Sequence, residues 1–302
     1  MKSETRTLLA VDWGSSALRA ALIDAQGQVL QTRQFEQGIL KVPAGQFEPV
    51  FEQCLGDWLV EHQPLCLISG MAGSRQGWQE APYCPCPAGF EALGRHLFWI
   101  KPRVALVPGL HCKRAADASA AGQDDVMRGE EVQVFGALAL TGLQDAQLIL
   151  PGTHSKWVAV RQGKIQHFQT FMTGEVFAVL SEHSILARTM VAGAAFNEAA
   201  FIHAVHLAQE GPGVLAHVFG TRTSALFDRL PTEHLSSHLS GLLIGEELRA
   251  MRQSAGPLLL VGSALLTARY ELALRTLGRQ ATALNQEATW AGHLALARGM
   301  DA

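Results

Sequence analysis

The pattern that most constrains this chain is written twice. Near the start, LLAVDWGSSALRAALIDAQGQVL reads as an apolar strand, an abrupt turn, a second strand, another turn and a third strand. Strands are expected at about Thr7–Trp13, Leu18–Ile23 and Val29–Phe35, with turns at Gly14 and Asp24–Gly27. After Gly142 the pattern restarts. A strand over Leu148–Leu150, the turn PGTHS, a strand over Trp157–Arg161, the hairpin turn RQGK and a strand over Ile165–Phe171 follow in order. Two meanders, each continuing into helix and strand within a 302-residue chain, predict two α/β halves of ordinary domain size. The boundary is expected within Thr141–Gln147, giving halves of 1–143 and 144–302. No low-complexity linker separates them, so they are expected to pack around a cleft.

In the first half, Phe47, Val50, Phe51, Cys54, Leu55, Trp58 and Leu59 form a helical stripe, and Leu65–Ser69 reads as a fourth strand. Long Gly- and Pro-rich loops, SGMAGSRQGW and APYCPCPAGF, precede a strand over Arg103–Val107 and a helix over Glu130–Leu140. In the second half, a helix is expected from near Glu175, with others over Phe196–Ala208 and Leu235–Arg252. A buried strand over Pro257–Val261, a Gly262-Ser263 turn and terminal helices complete it.

Composition removes several function classes. A net charge of −3 does not suit nucleic-acid binding, which wants a basic face. No apolar run approaches the ~18 residues of a membrane helix. MKSETRTLLAVDWG lacks the apolar region of a signal peptide, and the five cysteines contain no CxxC pair, so reduced thiols and a cytoplasmic location are expected. His203 and His206 share a helical spacing without a carboxylate motif, which does not make a metal site. G-x-x-x-x-G-K-[ST], G-x-S-x-G and H-E-x-x-H are all missing, and GPGVLA at Gly211 follows a helical stretch where a dinucleotide fingerprint needs a strand.

The two first turns carry the chemistry. Gly14, Ser15 and Ser16 in one, and Gly152, Thr153, His154 and Ser155 in the other, combine backbone freedom with donors that suit a phosphate. Lys156 adds a positive charge to the second turn. Asp12 repels a phosphate, so its sensible task is to hold Mg²⁺ or the water around it. Either turn alone fits a plain hairpin; both at the same place in each half point to phosphate binding.

DxGSS, a second Gly-Thr hairpin and a late VGS turn resemble the acetate and sugar kinase, actin and heat-shock chaperone superfamily. More narrowly, GMAGSRQGWQEAPYCPCPAG, DVMRGEE, LPGTHSKW and TFMTGEVFAVLSEHSIL resemble the 2-dehydro-3-deoxygalactonokinase family, over about residue 8 to beyond residue 270. The resemblance implies an α/β protein of two ribonuclease-H-like (actin-like ATPase) domains with a nucleotide cleft between them. The first would bind the sugar acid and the second the nucleotide. It also implies transfer of the ATP γ-phosphate to the C6 hydroxyl of 2-keto-3-deoxygalactonate in galactonate catabolism, with ATP and Mg²⁺ as cofactors. Where superfamily members often carry Thr in the first turn, this chain has Ser15 and Ser16, which keep the hydroxyl.

Phosphoryl transfer needs positioning, charge neutralisation and an acceptor for the hydroxyl proton. Glu130 or Glu131, at a helix start, is the expected base, and Asp125 is the rival. An anionic sugar acid calls for a cation: Arg75 comes first, with Gly73 and Ser74 beside it and Trp78 as a pocket wall, and Arg19 and Arg128 follow. Thr173 is expected to cap the helix after Gly174, leaving backbone donors for an anion, and Gly262 and Ser263 resemble the superfamily's adenosine-side turn. A kinase of a different aldonate or amino sugar, and a non-catalytic regulator binding nucleotide or sugar acid, are the competing readings. The C-terminal helices leave room for a homodimer.

Overall fold

A computed structural model describes residues 7–113, 124–251 and 256–300. The first strands are β1 (Leu8–Trp13), β2 (Leu18–Ile23) and β3 (Val29–Phe35), all as expected, followed by helix α1 (Phe47–His62) and strand β4 (Leu65–Gly70). β1 and β4 are buried along their whole length, as strands covered on both faces must be. Then come β5 (Cys84–Pro85), α2 (Phe90–Arg95), β6 (Phe98–Lys101), β7 (Val104–Leu106), β8 (Leu110–Lys113), β9 (Asp124–Met127) and α3 (Glu130–Thr141). A six-stranded sheet runs β3-β2-β1-β4-β7-β6, and β5-β8-β9 form a small second sheet. That small sheet was not expected. Its strands span two to four residues, too few for an alternating pattern to declare itself.

The remaining elements are β10 (Ala146–Leu150), β11 (Ser155–Arg161), β12 (Lys164–Phe171), α4 (Thr173–His183), α5 (Glu198–Leu207), α6 (Val214–Leu226), α7 (Leu235–Ala250), β13 (Leu258–Val261), α8 (Ala264–Thr276), β14 (Thr282–Leu284) and α9 (Glu287–Gly299). Their sheet runs β12-β11-β10-β13-β14. Both large sheets carry a meander extended by parallel strands, the ribonuclease-H-like pattern the resemblance implies, and in the first sheet β6 adds an antiparallel edge strand on β7. Arg252, the expected end of α7, lies outside the described residues. Helix α6 was not foreseen: it follows Gly211-Pro212-Gly213 and leaves Leu215, Phe219 and Leu226 exposed, so it carries no clean apolar stripe.

The compact units do not follow one cut in the chain. The first comprises Met1–Ala146, Val158–Phe168 and Gln286–Ala302; the second comprises Gln147–Trp157 and Gln169–Asn285. Helix α9 joins the first unit because it crosses α3 with the two backbones touching. A Cβ on Gly136 would lie 1.6 Å from the Ala288 carbonyl oxygen, and one on Gly292 would lie 2.0 Å from that of Val132. In the first unit Trp13, Phe51 and Trp58 anchor a core between the sheet and α1. In the second, Trp157, Phe201 and Tyr270 do so between the sheet and α5, α7 and α8.

Candidate active site

In the first unit, β1 delivers Asp12 to the end of the sheet, where it is buried. The register sets it opposite Arg19 on β2 and Ser69 on β4. Arg19 Nη2 donates to Asp12 Oδ2 at 2.8 Å. Beyond it, Gly14 N donates to Ala17 O at 2.9 Å and closes the turn, while Ser15 and Ser16 are exposed. The turn is braced from behind. Ile39 N and Leu40 N donate to the Gly14 and Ser15 carbonyls, and a Cβ on Gly38 would lie 2.2 Å from Ser15 O.

Two glycines draw the α3 N-terminus into the same corner. Gly70 (φ +89°) ends β4, and a Cβ there would lie 2.8 Å from Trp13 O and 3.2 Å from Asp12 Oδ1. Gly129 (φ +106°) packs on it in turn: its Cβ would lie 3.1 Å from Gly70 Cα. Both positions need a left-handed backbone that glycine adopts freely. They bring Glu131 inside, fully buried, with Oε2 accepting from Gly129 N at 2.7 Å. Burial, helped by the neighbouring Glu130 charge, pushes the Glu131 carboxyl up to about 8, against the backbone N–H groups and Arg128 that lower it. His293 of α9 is also buried in this unit and donates its Nδ1–H to Thr289 O at 2.8 Å. Burial lowers its pKa, while the Asp12 charge works the other way.

Among the described residues, the buried side-chain polar atoms without a hydrogen-bond partner here include Arg19 Nε, Ser74 Oγ, Arg128 Nε and Nη1, Glu131 Oε1 and His293 Nε2. Such groups are costly unless something answers them. The other expected residues lie differently. Arg75 is exposed and gives Nε to Glu80 at 2.9 Å. Trp78 packs against Trp13 and Phe51, inside the aromatic core. Glu130 Oε2 accepts from Arg128 N at 3.0 Å, and Asp125, on β9, accepts from Val126 N at 2.8 Å.

The second unit assembles three of the expected segments. A Cβ on Gly174 would lie 2.4 Å from Gly152 O and 2.8 Å from Thr153 Cα, and Glu175 N donates to Thr153 O at 3.0 Å. Gly262 sits against the Pro151 carbonyl, its Cβ position 3.5 Å away, and Ser263 is exposed beside it. His154 and Glu175 pair at 2.5 Å. Three side chains turn from their expected roles. Ser155 is fully buried, Lys156 is buried with Nζ donating to Thr170 Oγ1 at 2.7 Å, and Thr173 is the first helical residue of α4, not its cap.

The reason for two of these is Glu247 of α7, which sequence reasoning missed. Its Oε1 accepts from Ser155 Oγ at 2.8 Å and Trp157 Nε1 at 2.7 Å; its Oε2 accepts from Tyr270 OH at 2.7 Å and from Thr173 Oγ1. Burial raises the Glu247 pKa, and the four donors hold it down. One carboxylate thus ties the turn, the α4 start and α8 together. The only hint in the sequence is an acid, Glu247, on the otherwise apolar face of GLLIGEEL.

The 2-keto-3-deoxy-galactonokinase family model matches residues 12–296. This chain belongs to that family. It is 36% identical over 284 residues to the 2-dehydro-3-deoxygalactonokinase of Escherichia coli strain K12, covering 93% of each chain. It is also similar to a crystal structure from Sinorhizobium meliloti assigned to the same kinase, with a TM-score of 0.87, 33% identity, and 97% of this chain and 98% of that one covered. The activator of the 2-hydroxyisocaproyl-CoA dehydratase from Clostridium difficile, with bound ADPNP, shares the fold alone, at 9% identity and a TM-score of 0.52 over 98% of this chain and 96% of that one.

Proposed function

We propose that this protein phosphorylates the C6 hydroxyl of 2-dehydro-3-deoxy-D-galactonate with ATP, in galactonate degradation. The observation that carries the reading, within a chain of this kinase family, is the first-unit corner that buries Asp12 with a proton-tuned Glu131. Glu131 is the base. Its Oε1 takes the proton as the C6 oxygen forms its bond to the γ-phosphorus and the bond to the β–γ bridging oxygen breaks, leaving ADP and the sugar-acid phosphate. A carboxyl at about 8 is far more basic than an exposed one, which suits removal of an alcohol proton near neutral pH. Glu130 and Asp125 spend an oxygen each on backbone N–H groups and serve the local structure.

The second unit takes the nucleotide. Support comes from the backbone around Gly152–His154, the first turn of α4 at Gly174 and the Gly262-Ser263 turn, where glycines keep the surface open to close approach. Mg²⁺ is commonly bound through one or two carboxylates plus substrate phosphates, and Asp12, buried at the end of β1, is the residue that would hold it or its water. When bound, Mg²⁺ would offset phosphate charge, and the Arg19 ion pair fixes the orientation of the Asp12 carboxylate.

The test is ADP release with and without the keto acid, with ¹³C and ³¹P NMR to locate the new phosphoester. Acid-dependent release with phosphate on C6 is expected. Release that ignores the acid, or a product phosphorylated elsewhere, overturns the reading.

A further inference from the structure

The first-unit corner holds a cation that makes no ion pair among the described residues. Arg128 is 8% exposed. Nη2 donates to the Ala81 carbonyl at 2.7 Å, and the guanidinium lies 4.3 Å over the Tyr83 ring. Nε and Nη1 are buried without an acceptor, and among the described residues no carboxylate forms an ion pair with this side chain. Glu130 Oε2 accepts from the Arg128 backbone N–H. Taking a guanidinium out of water without a counter-charge costs several kcal/mol, and one carbonyl and one ring face do not neutralise it.

The surroundings are made for it. A Cβ at residue 73 would lie 2.8 Å from Arg128 Nη1, so Gly73 admits the guanidinium and any side chain would press on it. The adjoining Ser74 hydroxyl is likewise buried and unpartnered, and so is Oε1 of Glu131, the third residue after Arg128. The corner therefore offers unsatisfied donors at Arg128 and Ser74 and an unsatisfied carboxyl oxygen at Glu131. A molecule with an anionic end and a hydroxyl answers both, and a hydroxy acid has them. Arg75 is engaged with Glu80 in solvent, where an ion pair contributes little.

Resting on the kinase reading, we propose that Arg128 is the specificity-determining contact for the acceptor's carboxylate, donating to it from its unpartnered N–H groups with the Ser74 hydroxyl beside it. A fixed, buried guanidinium N–H gives a charge-assisted hydrogen bond to a carboxylate oxygen, stronger than a neutral one.

Steady-state kinetics on the acid and on its C1 amide, for wild type, Arg128→Met, Arg128→Lys, Ser74→Ala and Arg75→Met, test this. Arg128→Met should raise KM for the acid about 10–100-fold, the range for losing a charged hydrogen bond, and leave KM for ATP unchanged. It should also abolish the wild-type preference for acid over amide. Arg128→Lys keeps the charge without the planar, fixed guanidinium donors and should fall between; it carries the comparison if the Met variant does not fold. Ser74→Ala should raise KM for the acid alone, and Arg75→Met should leave it unchanged. An acid-over-amide preference that survives at residue 128, or one that is lost only with Arg75→Met, overturns the proposal. A wild-type enzyme that ignores the acid altogether would instead sink the kinase reading.

Discussion

Gly136 of α3 lies so close to Ala288 of α9 that a Cβ on it would sit 1.6 Å from the Ala288 carbonyl oxygen. This contact, with its counterpart at Gly292, decides where the end of the chain goes, and with it where His293 lies. Gly136→Ala would normally favour a helix by up to ~1 kcal/mol. Here it is expected to destabilise the protein by ~3 kcal/mol or more through overpacking, read by urea denaturation. Unchanged stability would mean the helices part at no cost.

Asp12→Asn keeps the shape of the side chain and removes its charge. ADP release in the presence of the keto acid should fall to background while the thermal melt shows a folded protein. Near-normal turnover by this variant would remove Asp12 from the phosphate chemistry.

Glu131→Gln should cost roughly 10²–10⁴-fold in kcat, the usual worth of a general base. Wild-type kcat/KM should climb with pH toward about 8 and then level off. Stability moves the other way. The folded carboxyl titrates at about 8 against an ordinary 4.5, so the native state holds a proton that the unfolded chain has released between those values. That stabilisation is complete below 4.5 and is lost as pH rises toward 8, at roughly 1 kcal/mol per pH unit if Glu131 acts alone. The Gln variant should lack this slope. A wild-type stability that rises with pH over the same window would refute the assignment.

Glu247→Ala leaves the Ser155, Trp157, Thr173 and Tyr270 donors without their acceptor and should cost about 3–5 kcal/mol, as when one partner of a buried polar network is deleted. Glu247→Gln, nearly isosteric, should fold well and raise KM for ATP about tenfold or more, since it loosens the turn and the α4 start together. KM for the keto acid should stay put. If instead both KM values are untouched in the Gln variant, Glu247 serves the core and nothing else.

Much of this was legible because it is local. The alternation and turn residues of Leu8–Leu30 placed β1, β2 and β3 within a residue of their observed ends, and the stripe from Phe47 to Leu59 found α1. The second meander was equally clear. The Gly-rich turns announced themselves by composition, and Gly174 and Gly262 do pack against the Pro151–Ser155 turn. What escaped was short or solvent-facing: β5, β8 and β9 are too brief to alternate, and α6 exposes the apolar residues that would have marked its face.

Within the site, the residue types were right more often than the directions. Four acids at 124, 125, 130 and 131 look alike in the sequence, yet only Glu131 is driven inside, because Gly129 can turn against Gly70. Arg75 and Arg128 are chemically equal; one finds Glu80 in solvent and the other is buried beside Gly73. Ser155 carries the same hydroxyl as Ser15, but Glu247, ninety-two positions on, draws it inward.

The sequence alone determined the strands of each meander, the turns that follow them and the kinase family, since periodicity, turn chemistry and long motifs are properties of neighbouring residues. Tertiary structure alone decided which polar groups have partners, which acid holds its proton and which unit claims the last helix. Those outcomes depend on burial and on contacts between residues far apart in the chain, and no local pattern encodes either.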